Sequence, residues 1–140
     1  GVDVSPTMLR RAAEKGTCAD LLAAEAHRLP LGDRNFDVVI CANAFHYFRQ
    51  PGRSLDEMHR VLRPGGELVL VDWCDDYLSC KLCSIWLRWT DPAFHRTYTK
   101  RACGELLKAS SFAVERAFHR RIDWLWGLMC LTARRSASSG

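Results

Sequence analysis

No apolar run in these 140 residues approaches the ~20 consecutive residues that a membrane-spanning helix needs. A charged, then apolar, then small-residue leader is also missing from the first residues, so neither membrane insertion nor secretion is expected. The seven cysteines are an odd number, scattered from Cys18 to Cys130, and do not form the dense framework of a small disulfide-stapled domain. A reducing cytoplasm is the expected compartment. Internal repeats and low-complexity segments are absent. Excess charge of one sign is nearly absent too, since the net charge is +4. Residues 1–70 carry nine basic and nine acidic side chains, and residues 71–140 carry eleven and seven. That mild surplus comes with no stacking or basic motif of a nucleic-acid reader, so it reads as a solvated face.

What the sequence does contain is an alternation of strand-like and helix-like segments. Gly1–Val4 reads as the end of a strand. Ser5-Pro6 then opens a helix, with Ser5 as N-cap, Pro6 in the first turn and Gly16 as its stop. A short strand is expected within Cys18–Glu25. Phe36–Ala42 reads as a strand covered on both faces, because Val38-Val39-Ile40 is apolar without alternation. Ser54-Leu55-Asp56-Glu57 has the form of a capping box, followed by a buried stripe of Leu55, Met58, Val61 and Leu62. Pro64-Gly65-Gly66 reads as a turn into a strand at Glu67–Val71. Helices are expected over Ser79–Trp89, with Lys81, Ser84 and Arg88 as the polar stripe, and over Thr99–Ala109. Phe112–Arg134 reads as an antiparallel pair at the sheet edge. Residues 1–134 then make one domain and residues 135–140 a disordered tail. The fold class is α/β, a mostly parallel sheet with right-handed crossovers and an antiparallel C-terminal strand pair.

In open α/β sheets, ligands bind outside the carboxyl ends of the strands. The residues with usable chemistry fall there. Asp3 closes the first strand, Glu25-Ala26 follows the second, Asn43 follows the third, and Asp72-Trp73 ends the fourth. Four such coincidences in register point to a cofactor crevice.

The segments GVDVSPTML, AEAHRLPL, FDVVICANAFHYF and RVLRPGGELVLVDW, in this order and spacing, resemble the class I S-adenosylmethionine-dependent methyltransferases, in particular the type 11 group. The resemblance covers residues 1–73 and implies a Rossmann-like fold, S-adenosylmethionine as cofactor and methyl transfer to a small-molecule acceptor by direct displacement. It implies that Asp3, with Val4 beside it, receives the ribose hydroxyls. Glu25, where the family usually has Asp, would reach the adenine amino group, and the Ala26 N–H would cap a ring nitrogen. Asn43 and Ala44 would lie beside the methionine moiety. His46, Tyr98 and Asp72 are the candidate catalytic groups if the acceptor must lose a proton. Trp86, Trp89, Phe94, His95 and Tyr98 would wall the acceptor site.

Two features qualify this picture. The family's first strand and its G-x-G-x-G turn have no counterpart in these residues, so the chain is expected to be an N-terminally truncated domain that binds cofactor weakly or not at all alone. Cys74, Cys80 and Cys83 have a suggestive spacing, but no second ligand pair accompanies them and no metal is expected. A nicotinamide-dependent oxidoreductase and a non-catalytic interaction module remain as alternative readings. Oligomeric state is open.

Overall fold

The computed structural model describes residues 1–16, 18–91, 94–122 and 127–136. The order of elements is β1 (Val2–Asp3), α1 (Pro6–Glu14), β2 (Leu22–Ala23), β3 (Phe36–Ala42), a 3-10 turn (Phe45–Tyr47), α2 (Pro51–Val61), β4 (Leu62–Trp73), α3 (Leu78–Thr90), α4 (Lys100–Ala109), β5 (Phe112–Arg121) and β6 (Gly127–Arg135). The strands form two sheets. One is the parallel pair β1-β2, and the other is four-stranded in the order β3-β4-β6-β5. β3 and β4 are parallel, while β6 is antiparallel to both β4 and β5. The α/β class, the parallel pairs and the antiparallel C-terminal strands thus match the sequence reading. β6, the last strand, inserts between β4 and β5.

Local chemistry explains most element boundaries. The Ser5 hydroxyl accepts the Met8 N–H, Pro6 sits in the first turn of α1, and Gly16 takes φ +68° just beyond its end. Thr99 caps α4 in the same way, accepting the Ala102 N–H at 3.2 Å. The core gathers Leu55, Leu62, Leu68, Leu70, Leu107, Met129 and Leu131, all buried, between the four-stranded sheet and helices α2 and α4.

Five expectations change. α2 begins at Pro51, three residues before the capping box, because proline is pre-organised for the first turn and loses no hydrogen bond there. Ser54 is instead inside the helix, its hydroxyl donating to the Gln50 carbonyl at 3.1 Å, and Glu57 serves another purpose described below. The Pro64-Gly65-Gly66 turn lies within β4, as an excursion between the pairs Phe36–Leu62 and Val38–Glu67. Gly65 has φ +77°, and a Cβ on Gly66 would stand 2.9 Å from the Arg63 carbonyl and 3.0 Å from that of Asp37. β3 is not covered on both faces: Val38 is 50% and Ile40 69% exposed, since no described element packs on that side.

Helix α3 departs from its expected polarity. It buries Cys80 and Ser84 and turns Leu82, Ile85, Trp86 and Trp89 outward. Ser84 can be buried because its hydroxyl donates to the Lys81 carbonyl at 2.9 Å. The Arg88 side chain lies outside the described residues. Finally, Arg135 belongs to β6 rather than to a tail. It is buried and donates to the carbonyls of Leu62 and Arg60. Residues 137–140 lie outside the described residues.

Candidate functional site

β3 and β4 run side by side to their carboxyl ends, where the last backbone bond is from Asn43 N–H to the Val71 carbonyl at 2.8 Å. Asn43 then takes φ +49°, a left-handed conformation that asparagine tolerates better than most residues. This turns the chain sharply, so that Phe45–Tyr47 folds back over the end of β4 as a single 3-10 turn. Phe45 is buried and packs edge-on against Phe48, with ring centroids 5.4 Å apart, and against Tyr98 at 5.2 Å. That aromatic anchor fixes the neighbouring His46.

His46 and Asp72 form a buried pair, 2% and 1% exposed. His46 Nδ1 lies 2.6 Å from Asp72 Oδ1, and the His46 backbone N–H donates to Asp72 Oδ2 at 3.0 Å. Asp72 Oδ1 also accepts the Trp73 N–H at 2.7 Å. A carboxylate can only accept, so the ring proton of His46 sits on Nδ1. In the neutral imidazole Nε2 then carries the lone pair, and it is buried without a hydrogen-bond partner among the described residues. The Trp73 indole stacks on the imidazole at 4.7 Å with planes 10° apart. From the other side, the backbone N–H groups of His95 and Arg96 both donate to the His46 carbonyl, at 3.2 and 3.1 Å.

Tyr98 reaches the same end of the sheet through a parallel bridge to Cys74 and a hydrogen bond from Asp75 N–H to its carbonyl at 3.0 Å. Burial pushes its phenol above the ordinary value, so it is a proton donor rather than a base at neutral pH. Phe94 is buried with its ring 6.0 Å from that of His46. The aromatic wall expected from sequence is therefore divided. Phe94 and Tyr98 pack around the His46 segment, and His95 is exposed. Trp86 and Trp89, on the outward face of α3, are 63% and 88% exposed.

The remaining candidates sit on or beside the two-stranded sheet and on the β3 turn. Asp3 Oδ1 accepts the Ser5 N–H at 2.8 Å, an Asx-type turn that leads into α1, and Val4 is exposed. Glu25 is exposed with Oε2 3.0 Å from His27 Nε2, and Ala26 is half-buried. Asn43 is exposed and Ala44 half-buried. Among the described residues no strand joins β1 to β3, so the Asp3 and Asn43 ends belong to separate sheets.

The sequence did not single out the clasp that holds the loop following Glu25. Glu57 Oε2 accepts the Leu29 N–H at 2.7 Å, and Arg60 donates to the carbonyls of Leu29 and Leu31 at 2.9 and 2.8 Å. Arg60 also grips Glu57 at 2.7 Å, which holds that carboxyl below its usual range. The capping-box signature is thus explained by a different use of the same glutamate. Trp73 on His46 was likewise hidden, because stacking between a strand end and a turn depends on the fold.

Four of the cysteines are buried, namely Cys41, Cys74, Cys80 and Cys103. Cys80 Sγ accepts the Gly127 N–H at 3.2 Å, and Cys74 N–H donates to the Gly127 carbonyl at 3.1 Å. Burial, with Asp72 as a second cause, pushes the Cys41 and Cys103 thiols up to about 12. Both are protonated and shielded, hence poor nucleophiles. Alkylation of the native protein with iodoacetamide at pH 8 should modify exposed Cys18 first. Cys41 and Cys103 should react only once the chain is unfolded, as read by peptide mass spectrometry; fast native labelling of either would contradict the packing.

Comparison with known proteins places the fold in a family. A family model described as a methyltransferase domain matches residues 1–70. A methyltransferase-like protein of Schizosaccharomyces pombe is 41% identical over 70 residues, 50% of this chain and 27% of its own length. The demethylmenaquinone methyltransferase of Thermus thermophilus is 39% identical over 77 residues, 52% of this chain and 35% of that protein. The matched region thus spans about a third of these curated relatives. Among solved structures, the YcgJ protein from Bacillus subtilis superposes with a TM-score of 0.80 at 18% identity, over 99% of this chain and 82% of that one. An S-adenosylmethionine-dependent methyltransferase from Mesorhizobium loti gives 0.74 at 22% identity, over 96% and 79%. At such identities the structural likeness speaks for the fold alone.

Proposed function

The chain belongs to the methyltransferase domain family, and we propose that it forms the acceptor-facing part of an S-adenosylmethionine-dependent methyltransferase acting on a small molecule. The observation that carries this reading is the buried His46–Asp72 pair at the carboxyl ends of two adjacent parallel strands. That is where an open α/β sheet presents chemistry. The residues fit the cofactor's polar groups. Asp3 has one carboxylate oxygen committed to Ser5 and a second for a ribose hydroxyl. Glu25 would exchange His27 for the adenine amino group, while Ala26, Asn43 and Ala44 offer backbone groups and small side chains.

The bound cofactor supplies an electrophilic methyl group. Asp72 acts as a positioning residue that fixes the His46 tautomer, and the Nε2 lone pair is the site that receives a proton from the acceptor. The Trp73 indole stacked on the imidazole and the Phe94 ring beside it hold the imidazole plane in place. Orientation of the acceptor contributes the larger share of the rate, since in-line displacement needs close alignment and little else. Tyr98, protonated and packed on Phe45, suits hydrogen-bond donation to the acceptor rather than proton removal.

The separation of β1-β2 from β3-β4-β6-β5 leaves room in the reading for one more strand, with a G-x-G-x-G turn at its end, between β1 and β3. These 140 residues contain no such turn. Isothermal titration is the test. The 140-residue chain should show no saturable binding of S-adenosylmethionine in the micromolar range. The same residues preceded by a strand, G-x-G-x-G turn and helix from a family member should bind it, and Asp3→Ala in that longer chain should weaken binding on the order of tenfold, the loss of a charge-assisted hydrogen bond. Failure of the longer chain to bind would overturn the methyltransferase reading. Micromolar binding by the shorter one would overturn the need for a further strand.

A further inference from the structure

We propose that the groove beside residues 94–98 is an oxyanion site that takes the phosphate or carboxylate of the methyl acceptor, with Arg49 and Arg96 as the residues that hold it. The identity of the ligand as the acceptor rests on the methyl-transfer reading; the anion site itself does not.

The groove is a cavity of about 350 Å³ lined by Phe48, Arg49, Pro51, His95, Arg96 and Tyr98. Two guanidinium groups therefore share one concavity whose lining contains no carboxylate. Like most arginines of the chain, Arg49 and Arg96 form no salt bridge among the described residues; what sets them apart is that they line the same concavity. Arg49 spends only its Nε–H, donated to His95 Nε2 at 3.2 Å. Its two terminal nitrogens stay available, and the bond fixes His95 with its own proton on Nδ1, a further donor. The Arg96 guanidinium lies 5.5 Å from the centre of the Tyr98 ring, which steadies it without neutralising it. Planar forks of this kind recognise phosphate and carboxylate through paired hydrogen bonds.

A second cavity of about 340 Å³ shares Arg96 and Tyr98 and continues past Ala102 and Leu106 to Glu105. A ligand spanning both would place its anion on the arginines and an apolar body along Ala102 and Leu106. The groove also touches the catalytic candidate. His95 and Arg96, whose side chains line it, are the residues whose backbone N–H groups hold the His46 carbonyl. A ligand clamped there is tied to the segment that positions the proton acceptor.

The test uses the 140-residue chain at low salt. Inorganic phosphate and phenyl phosphate are titrated while the arginine Nε–Hε NMR signals are followed. Saturable shifts of Arg49 and Arg96 are expected, with phenyl phosphate binding more tightly than phosphate. Arg49→Ala and Arg96→Ala should each weaken phenyl phosphate binding on the order of tenfold, about the contribution of one charge-assisted contact. Both side chains are exposed, so the variants should melt at the parent temperature. Shifts that stay linear, or affinities within twofold of the parent in both variants, would overturn the site. Equal affinity for phosphate and phenyl phosphate would also overturn it, by reducing the groove to a bare ion site. Binding to phosphatidic acid vesicles without a response to phenyl phosphate would assign the anion to a lipid surface and overturn the acceptor claim. No readout here involves S-adenosylmethionine, so failure of this site and failure of the methyltransferase reading are separable.

Discussion

Replacing Asp72 by alanine should lower the stability of the chain by about 3–5 kcal/mol, since three buried donors would lose their acceptor at about 1–3 kcal/mol each. The carboxylate accepts three hydrogen bonds, from His46 Nδ1, from the His46 backbone N–H and from the Trp73 N–H. All three donors lose their acceptor together, and a buried donor without a partner costs about 1–3 kcal/mol. Water cannot readily substitute, since Asp72 is almost completely enclosed. Urea unfolding followed by circular dichroism measures the difference. Asp72→Asn should lose less, because one carbonyl oxygen survives in the same place, yet it offers no charge and no second acceptor. On the proposed methyl-transfer reading, both variants should also lower kcat more than they raise KM in a chain completed by the missing strand, since neither touches substrate and both release the His46 tautomer. A loss in Asp72→Ala below about 1 kcal/mol would show that the pair does not hold the turn.

The fold was legible because its signals are local and repeat. Proline and serine at the start of α1, threonine before α4, and the apolar runs of β3 and β4 each act over a few residues. The order of the strands was legible only through the resemblance, because periodicity carries no information about which strands are neighbours. Three misreadings share a cause. Ser54-x-x-Glu57 satisfied a capping rule, but Pro51 had already started the helix and the Leu29 N–H claimed the glutamate. The β-branched run at Val38–Ile40 resembled a doubly covered strand, yet coverage depends on what packs against it. Trp86 and Trp89 looked like pocket walls from their type and spacing, while α3 is rotated so that Cys80 meets the Gly127 amide instead.

The candidate site shows the same division. Asp3, Asn43 and Asp72 could be placed at strand ends from sequence, because each ends or follows a recognisable strand, while Glu25 could be placed there only from its context, since its strand taken alone reads as helix. The contact between His46 and Asp72 could not, since 26 residues separate them and the link is a left-handed residue at Asn43. Arg49 and Arg96 gave no signal at all. Neither belongs to a motif, and their meeting depends on the segment after α3 returning to the His46 carbonyl.

Phe45→Ala should be comparably costly, about 3–5 kcal/mol, as for other fully buried phenylalanines cut back to alanine. Phe45 is completely enclosed and touches Phe48 and Tyr98, so its ring links the 3-10 turn to the segment before α4. Truncation leaves a void that those rings can fill only by leaving their own positions, which lie beside both His46 and the arginine groove. Phe45→Leu keeps most of the apolar volume and should cost about 1–2 kcal/mol. A second readout separates lost packing from a general loosening. Burial holds the Tyr98 phenol above its ordinary value, so water entering the void should bring that value down. Absorbance titration of Phe45→Ala at alkaline pH, under conditions where the fold persists, should therefore show a tyrosine ionising earlier than in the parent. An unchanged titration with a loss of 3–5 kcal/mol would mean that Phe45 stabilises the core without shielding Tyr98. In that case the turn and the 94–98 segment would be held together by the His46 carbonyl bonds rather than by aromatic packing.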